Sequence, residues 1–250
     1  ELETLLLDNK DRIHLILSNT GADSAKHWDA RNAPARQRLI DAGVDIQHRM
    51  FNNSVHIGHN KFVVHVASDG AASAVFTGST NWTSTGVAGQ TNNAILIEDA
   101  AVAAHFLDYW HRMKDDALPT PAPLSKAMSA TRQGAKFRSD NAEPAVVPLA
   151  AGGTISTWFS PNMPQRKKPP NPPIPPDLAH VYRLMRQARE AVFFLAFYPG
   201  QSGRDCIVGE AIEIGRKDPE LMVLGAVSSA NAMPNYMPGT KGEDKEDEED

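Results

Sequence analysis

Residues His56–Asn93 read HIGHNKFVVHVASDGAASAVFTGSTNWTSTGVAGQTNN. Two strand-forming runs, Lys61–Val66 and Ala74–Thr77, flank the turn-forming Ser68-Asp69-Gly70, which predicts a hairpin with a somewhat long loop. Side chains alternate along a strand, so His59, Lys61, Val63 and His65 share one face, and Phe62, Val64 and Val66 face the core. A hairpin centred near Gly70 pairs residues whose numbers sum to about 140. That sets His59 near Asn81 and Lys61 near Ser79, within a residue or two. An imidazole, an ammonium, a hydroxyl and an amide then converge at one open end of a sheet. The set suits a phosphate diester: the imidazole attacks phosphorus while the other groups hold the non-bridging oxygens.

Upstream of this hairpin, Ile13–Leu17 and Val44–Met50 read as strands, separated by a helix over Ala33–Ala42 that Gly43 closes. Downstream, Ala94–Ile97 is a strand, and Asp99 caps a helix with Val102, Phe106, Tyr109, Trp110 and Met113 on one stripe. Helices alternating with strands, plus one hairpin, predict an α/β domain: a mixed β-sheet flanked by helices. From Pro119 to Pro148 periodicity fades, and a linker is expected over 119–150. Thr154–Phe159 alternates as a strand, and Pro161–Pro176 carries eight prolines in sixteen residues, an extended excursion. Leu178–Arg189 and Ile207–Arg216 read as helices, Ala191–Phe197 and Leu221–Val227 as strands.

Glu3–Asn19 and Glu210–Ser228 share a pattern: a helix end, a Lys-Asp turn and a buried strand ending in small polar residues. Aligning Lys10-Asp11 with Lys217-Asp218 gives an offset of 207 residues. The expected organisation is a catalytic part over 1–118, the linker, the opening of a second repeat over 151–236, and an acidic disordered tail over 237–250.

Composition narrows the function classes. The net charge is −5, but Glu243–Asp250 alone hold seven acids and one Lys; the remainder has 23 acids against 24 Lys and Arg. A near-neutral body disfavours a nucleic-acid binder with a strong global field. No apolar run approaches the ~20 residues of a membrane span, so a soluble or peripheral protein is expected. The single Cys206 excludes an internal disulfide framework and a Cys-rich zinc site. A zinc site at His56, His59 and His65 is disfavoured, because a spacing of three puts His56 and His59 on opposite strand faces and no carboxylates accompany them. His105 and His111 are expected at the surface, Trp82 in the core at a strand-to-loop corner, and Arg166–Lys168 in a solvated loop.

His59-Asn60-Lys61 followed by Gly78-Ser79-Thr80-Asn81, within HNKFVV…TGSTNWT…NNA, resembles the H-x-K and G-S-x-N motifs of the phospholipase D superfamily. The resemblance covers Ile13–Met113 well and Thr154–Asn231 more faintly. It implies a phospholipase D-like repeat in which His59 is the nucleophile that forms a phosphohistidine and Lys61 clamps the phosphate. Ser79 and Asn81 become phosphate-pocket donors. Asn92 takes the place where relatives often carry a carboxylate orienting the imidazole; an amide oxygen accepts that bond with less support for the imidazolium. No metal or other cofactor is implied. The implied partners are a phosphodiester of phospholipid type, a membrane surface touched from outside, and a second H-x-K half from downstream chain or a homodimer.

Two departures stand out. The family's aspartate seven positions after the histidine falls on Val66, with Asp69 nearby in the turn. No second H-x-K follows residue 61, so these 250 residues are expected to carry half of an active site. The function implied is hydrolysis or transfer of phosphodiesters, phospholipid-type substrates first. The competing expectations are a nuclease of the same superfamily and a degenerate repeat that only binds phosphate or a partner.

Overall fold

Strand β1 (His14–Asn19) runs parallel to β2 (Asp45–Met50), with His14 opposite Asp45 and Ser18 opposite Arg49. The crossover is helix α2 (Ala33–Asp41), which ends where Gly43 adopts φ +81°, a conformation that favours glycine. In this computed structural model residues 2–19, 33–50, 58–116, 135–150, 152–163, 174–196 and 206–228 are described. The chain divides into two compact units, Glu1–Pro164 and Gln165–Asp250.

In the first unit, helix α1 (Leu2–Asp8) and a 3₁₀ turn at Lys10–Arg12 lead into β1. The hairpin is β3 (Phe62–Val66) and β4 (Ala72–Gly78), antiparallel, with Phe62 opposite Thr77 and His65 opposite Ala74. These pairs sum to 139, within the expected slip. Gly70 turns at φ +86°, and Asp69 Oδ1 accepts a bond from the Ala71 amide at 3.0 Å. A short helix α3 (Ser84–Ala88) precedes β5 (Ala94–Ile97), which completes the order β3-β4-β5. Alternation holds for Phe62 and Val64, which pack on the core, and for Val63, which is exposed. It fails at Val66: a register shift between His65 and Val66 turns this side chain outward, where it is 41% exposed.

Helix α4 (Ala100–Asp115) covers the inner sheet face. Asp99 Oδ1 accepts from the amides of Ala101 and Val102 at 2.9 and 3.0 Å, a cap typically worth ~1 kcal/mol. Val102 and Ala103 meet Val75 and Ala72 of the sheet in one cluster; Tyr109 and Met113 form a second with Phe137. At its far end the buried Arg49 guanidinium bonds the Met113 carbonyl at 3.2 Å and Asp116 Oδ2 at 2.6 Å, tying β2 to α4.

The expected linker is corrected in part. Within it, α5 (Ala135–Ala142) and β6 (Ala145–Pro148) are ordered elements. Strand β6 pairs antiparallel with β7 (Thr154–Thr157), so the expected boundary at 150/151 falls inside a hairpin of the first unit. The reason is apolar burial: Val147 joins the Val75–Val102 cluster and Phe137 joins that of Tyr109. Sparse apolar residues, each well placed, secure elements that show no sequence periodicity.

In the second unit, α6 (Pro176–Arg186) precedes β8 (Ala191–Ala196), and α7 (Ile207–Lys217) crosses over to β9 (Met222–Val227), parallel to β8. Val192, Ile214 and Leu221 form its core with Met185, Ala188 and Val223. Cys206 is buried and caps α7, its sulfur accepting from the Gly209 amide at 3.2 Å. Both segments of the internal similarity are a helix, the Lys-Asp turn and a strand. His56, most of the proline-rich stretch with Arg166–Lys168, and the acidic tail lie outside the described residues.

Candidate functional site

The site is built where β3 begins, β4 ends and β5 begins. Strand β4 stops at Gly78, where a Cβ would lie 2.2 Å from the Asn93 carbonyl oxygen; only glycine lets the two chains approach this closely. The Ser79 amide then donates to that carbonyl at 2.9 Å, and Thr80 Oγ1 donates to it at 3.2 Å. Gly78-Ser79-Thr80 is thereby laced to the chain entering β5.

Ser79 and Asn92 are brought together directly. Ser79 Oγ donates to Asn92 Oδ1 at 3.2 Å and accepts from the Asn93 amide at 3.0 Å. Asn92 Nδ2 donates to the Gly86 carbonyl at 2.8 Å. The Asn92 side chain therefore orients the Ser79 hydroxyl and α3, where the family resemblance implies a place beside the imidazole. The physical cause is proximity: Gly78 opposite Ala94 sets Asn92 beside Ser79. Asn81 is exposed, with no side-chain partner among the described residues. Its carbonyl lies under Gly86, and Thr83 Oγ1 caps α3 by accepting from the Gly86 amide at 3.0 Å.

His59 and Lys61 sit just before β3. His59 is exposed and has no hydrogen-bond partner among the described residues, so its ring nitrogens face no competing protein group there. Lys61 is half-buried and folds back, Nζ donating to the His59 carbonyl at 2.8 Å; the ammonium keeps two further donors. Thr77 Oγ1 donates to the Lys61 carbonyl at 3.1 Å, fixing the motif backbone to β4. Loss of hydration lowers the His59 pKa below 6.5, and the Lys61 charge lowers it further. Partial burial also lowers Lys61 from 10.5. The imidazole is thus biased toward the neutral, nucleophilic form at neutral pH.

The remaining candidates fall elsewhere. His65 Nδ1 pairs with Ser73 Oγ at 2.6 Å across the hairpin, an exposed sheet contact. Trp82, expected in the core, is 41% exposed, because the chain leaves the sheet at Ser79 before reaching it. Of the α4 histidines, His111 is exposed and His105 half-buried. Among the described residues no group of three or more His, Cys, Asp or Glu converges as a metal site, and no helix is long and apolar enough to cross a membrane.

Two outcomes follow from this geometry. Gly86→Ala places a Cβ 2.2 Å from the Asn81 carbonyl oxygen and 2.9 Å from Thr83 Oγ1. The loop must shift, and unfolding free energy should fall by ~1–3 kcal/mol in denaturant titration; an unchanged midpoint contradicts the close packing. By NMR, the His59 imidazole should titrate below 6.5, and Lys61→Met should move its midpoint upward, because removing a neighbouring cation favours the imidazolium. A downward shift or none would mean that the Lys61 charge does not act on this ring.

Residues 3–114, which contain every element of this site, match the family described as cardiolipin synthase, PLD-like domain. No curated protein matches the chain. The segment 3–114 is thus a phospholipase D-like domain of the phospholipase D superfamily.

Proposed function

We propose that this domain is a phosphodiesterase working through a phosphohistidine on His59. The observation that carries the proposal is an exposed imidazole, biased toward its neutral form by desolvation and by the adjacent Lys61 ammonium. In the first step a ring nitrogen of His59 forms a bond to phosphorus as the bond to the departing alkoxide breaks. Lys61, with Ser79 and Asn81, stabilises the charge on the non-bridging oxygens. The alkoxide takes a proton from an acid. In the second step water or another alcohol gives its proton to the conjugate base of that acid and attacks phosphorus, the N–P bond breaks, and the imidazole is restored.

The acid is the missing part. The 250 residues contain one H-x-K, and positioned proton transfer is typically worth ~10²–10⁴ in rate. A second copy, or an H-x-K segment outside these residues, supplies it. Phospholipid-type diesters are the favoured substrates, because the near-neutral body lacks the basic field that a nucleic-acid enzyme uses.

The test compares turnover of a phosphatidyl diester in mixed micelles with that of single-stranded DNA, with and without EDTA, over a range of protein concentrations. Cleavage of the phosphatidyl substrate, insensitive to EDTA and rising per molecule as the protein self-associates, is expected. Faster cleavage of DNA would make it a nuclease. Phosphate binding without turnover at any concentration, and with a second H-x-K half added, would make it a binding repeat. Concentration-independent turnover by a monomer proven by light scattering would overturn the half-site.

A further inference from the structure

Tyr109 lies on α4, fifty positions from the motif histidine, and is 2% exposed. Its hydroxyl accepts from Asn60 Nδ2 at 2.9 Å and donates to the Ser160 carbonyl at 2.9 Å. Asn60 is the central residue of His59-Asn60-Lys61. Phe62, the residue after Lys61, packs its ring on Tyr109 with centroids 5.9 Å apart. The two neighbours of Lys61 are therefore held by one buried side chain, one by a hydrogen bond and one by ring contact.

The anchor is itself rigid. The phenol ring stacks on Phe159 at 4.2 Å and 8°, and against Phe137 at 5.9 Å and 23°. Burial raises the hydroxyl pKa above 10, so the proton stays available for Ser160. The acceptor segment after β7 is secured as well: the fully buried Asn141 donates to the Pro161 carbonyl at 3.1 Å and accepts from Arg112 at 2.7 Å. Phe137, Asn141, Phe159 and Ser160 all lie outside the matched segment 3–114.

We propose that Tyr109 is a positioning residue for the H-x-K segment, and that through it the helix and hairpin of residues 135–161 hold His59 and Lys61 in their working geometry. The proposal rests on His59 and Lys61 being the reacting pair. With Asn60 and Phe62 pinned to α4, the two motif side chains are kept off the core and presented at the sheet end. A side chain released by even ~1 Å loses up to ~10²-fold in rate.

The test uses the full chain with Tyr109→Phe, which deletes the hydroxyl and keeps the ring stack, Asn60→Ala, which cuts the same bond from the exposed side, and both together. The first readout is the His59 titration by NMR, which requires no turnover. Both single variants should move its midpoint up toward 6.5 as the freed segment hydrates. The second readout is turnover, where kcat should fall ~10- to 100-fold, with the double variant no worse than the weaker single because one bond is removed either way. An unchanged His59 titration, a loss of thermal stability alone, or losses that multiply in the double variant would overturn the positioning role. Should Tyr109→Phe fail to fold, Asn60→Ala carries the same readouts. Full activity in His59→Ala would instead sink the catalytic assignment, and the titration would still decide the anchor.

Discussion

His59→Ala is expected to lower phosphodiester turnover by a factor on the order of 10⁴–10⁶, as loss of a covalent nucleophile does when the remaining groups act as a unit. The fold should be untouched. The His59 side chain is exposed and makes no hydrogen bond to another described residue, so its truncation opens no cavity and leaves no buried polar group unpaired. Circular dichroism and thermal melting of the variant should overlay those of the parent. His59→Asn should behave likewise, because an amide keeps polarity without a basic nitrogen. Activity within tenfold of the parent in either variant would remove His59 from the chemistry.

Lys61→Ala should cost ~10²–10³ in turnover, the scale seen when one preorganised group facing a developing oxyanion is deleted. Lys61 is the motif's cation, and its ammonium has two donors left after the His59 carbonyl is served. Lys61→Arg should recover little of the loss. A guanidinium is planar, longer and fixed in its donor pattern, so it cannot fold back onto the His59 carbonyl and still reach the same phosphate oxygens. Full activity in Lys61→Arg would reduce Lys61 to a general electrostatic contributor. The two variants separate by binding: His59→Ala should still bind inorganic phosphate, whereas Lys61→Ala should bind it more weakly.

The order of elements was legible in the residues because it is written in local signals. Asp99 before an apolar stripe marks the start of α4, and Gly43 after one marks the end of α2. Ser68-Asp69-Gly70 between two strand-forming runs placed the hairpin within one residue of its register. The H-x-K and G-S-x-N segments were legible for the same reason: each is a short run of contiguous residues beside a strand end.

Only the tertiary structure decided the rest, wherever contacts join residues far apart in the chain. A register shift at His65/Val66 sent Val66 to the surface, and no local signal distinguishes it from Val64. Asn92 is adjacent to Ser79 through the pairing of Gly78 with Ala94, a relation across sixteen residues that matching motif positions does not reveal. Residues 135–148 lack periodicity and pass as linker, yet Phe137 and Val147 fill space beside Tyr109 and Val75. Burial is a property of the assembled core and not of the segment that enters it. By itself the sequence determined the α/β order, the motif pair and the resemblance to the phospholipase D superfamily. That Tyr109 grips Asn60, 49 residues before it, while reaching Ser160, 51 residues after it, follows from packing: hydrogen bonds in a core form between whatever groups the fold brings within 3 Å.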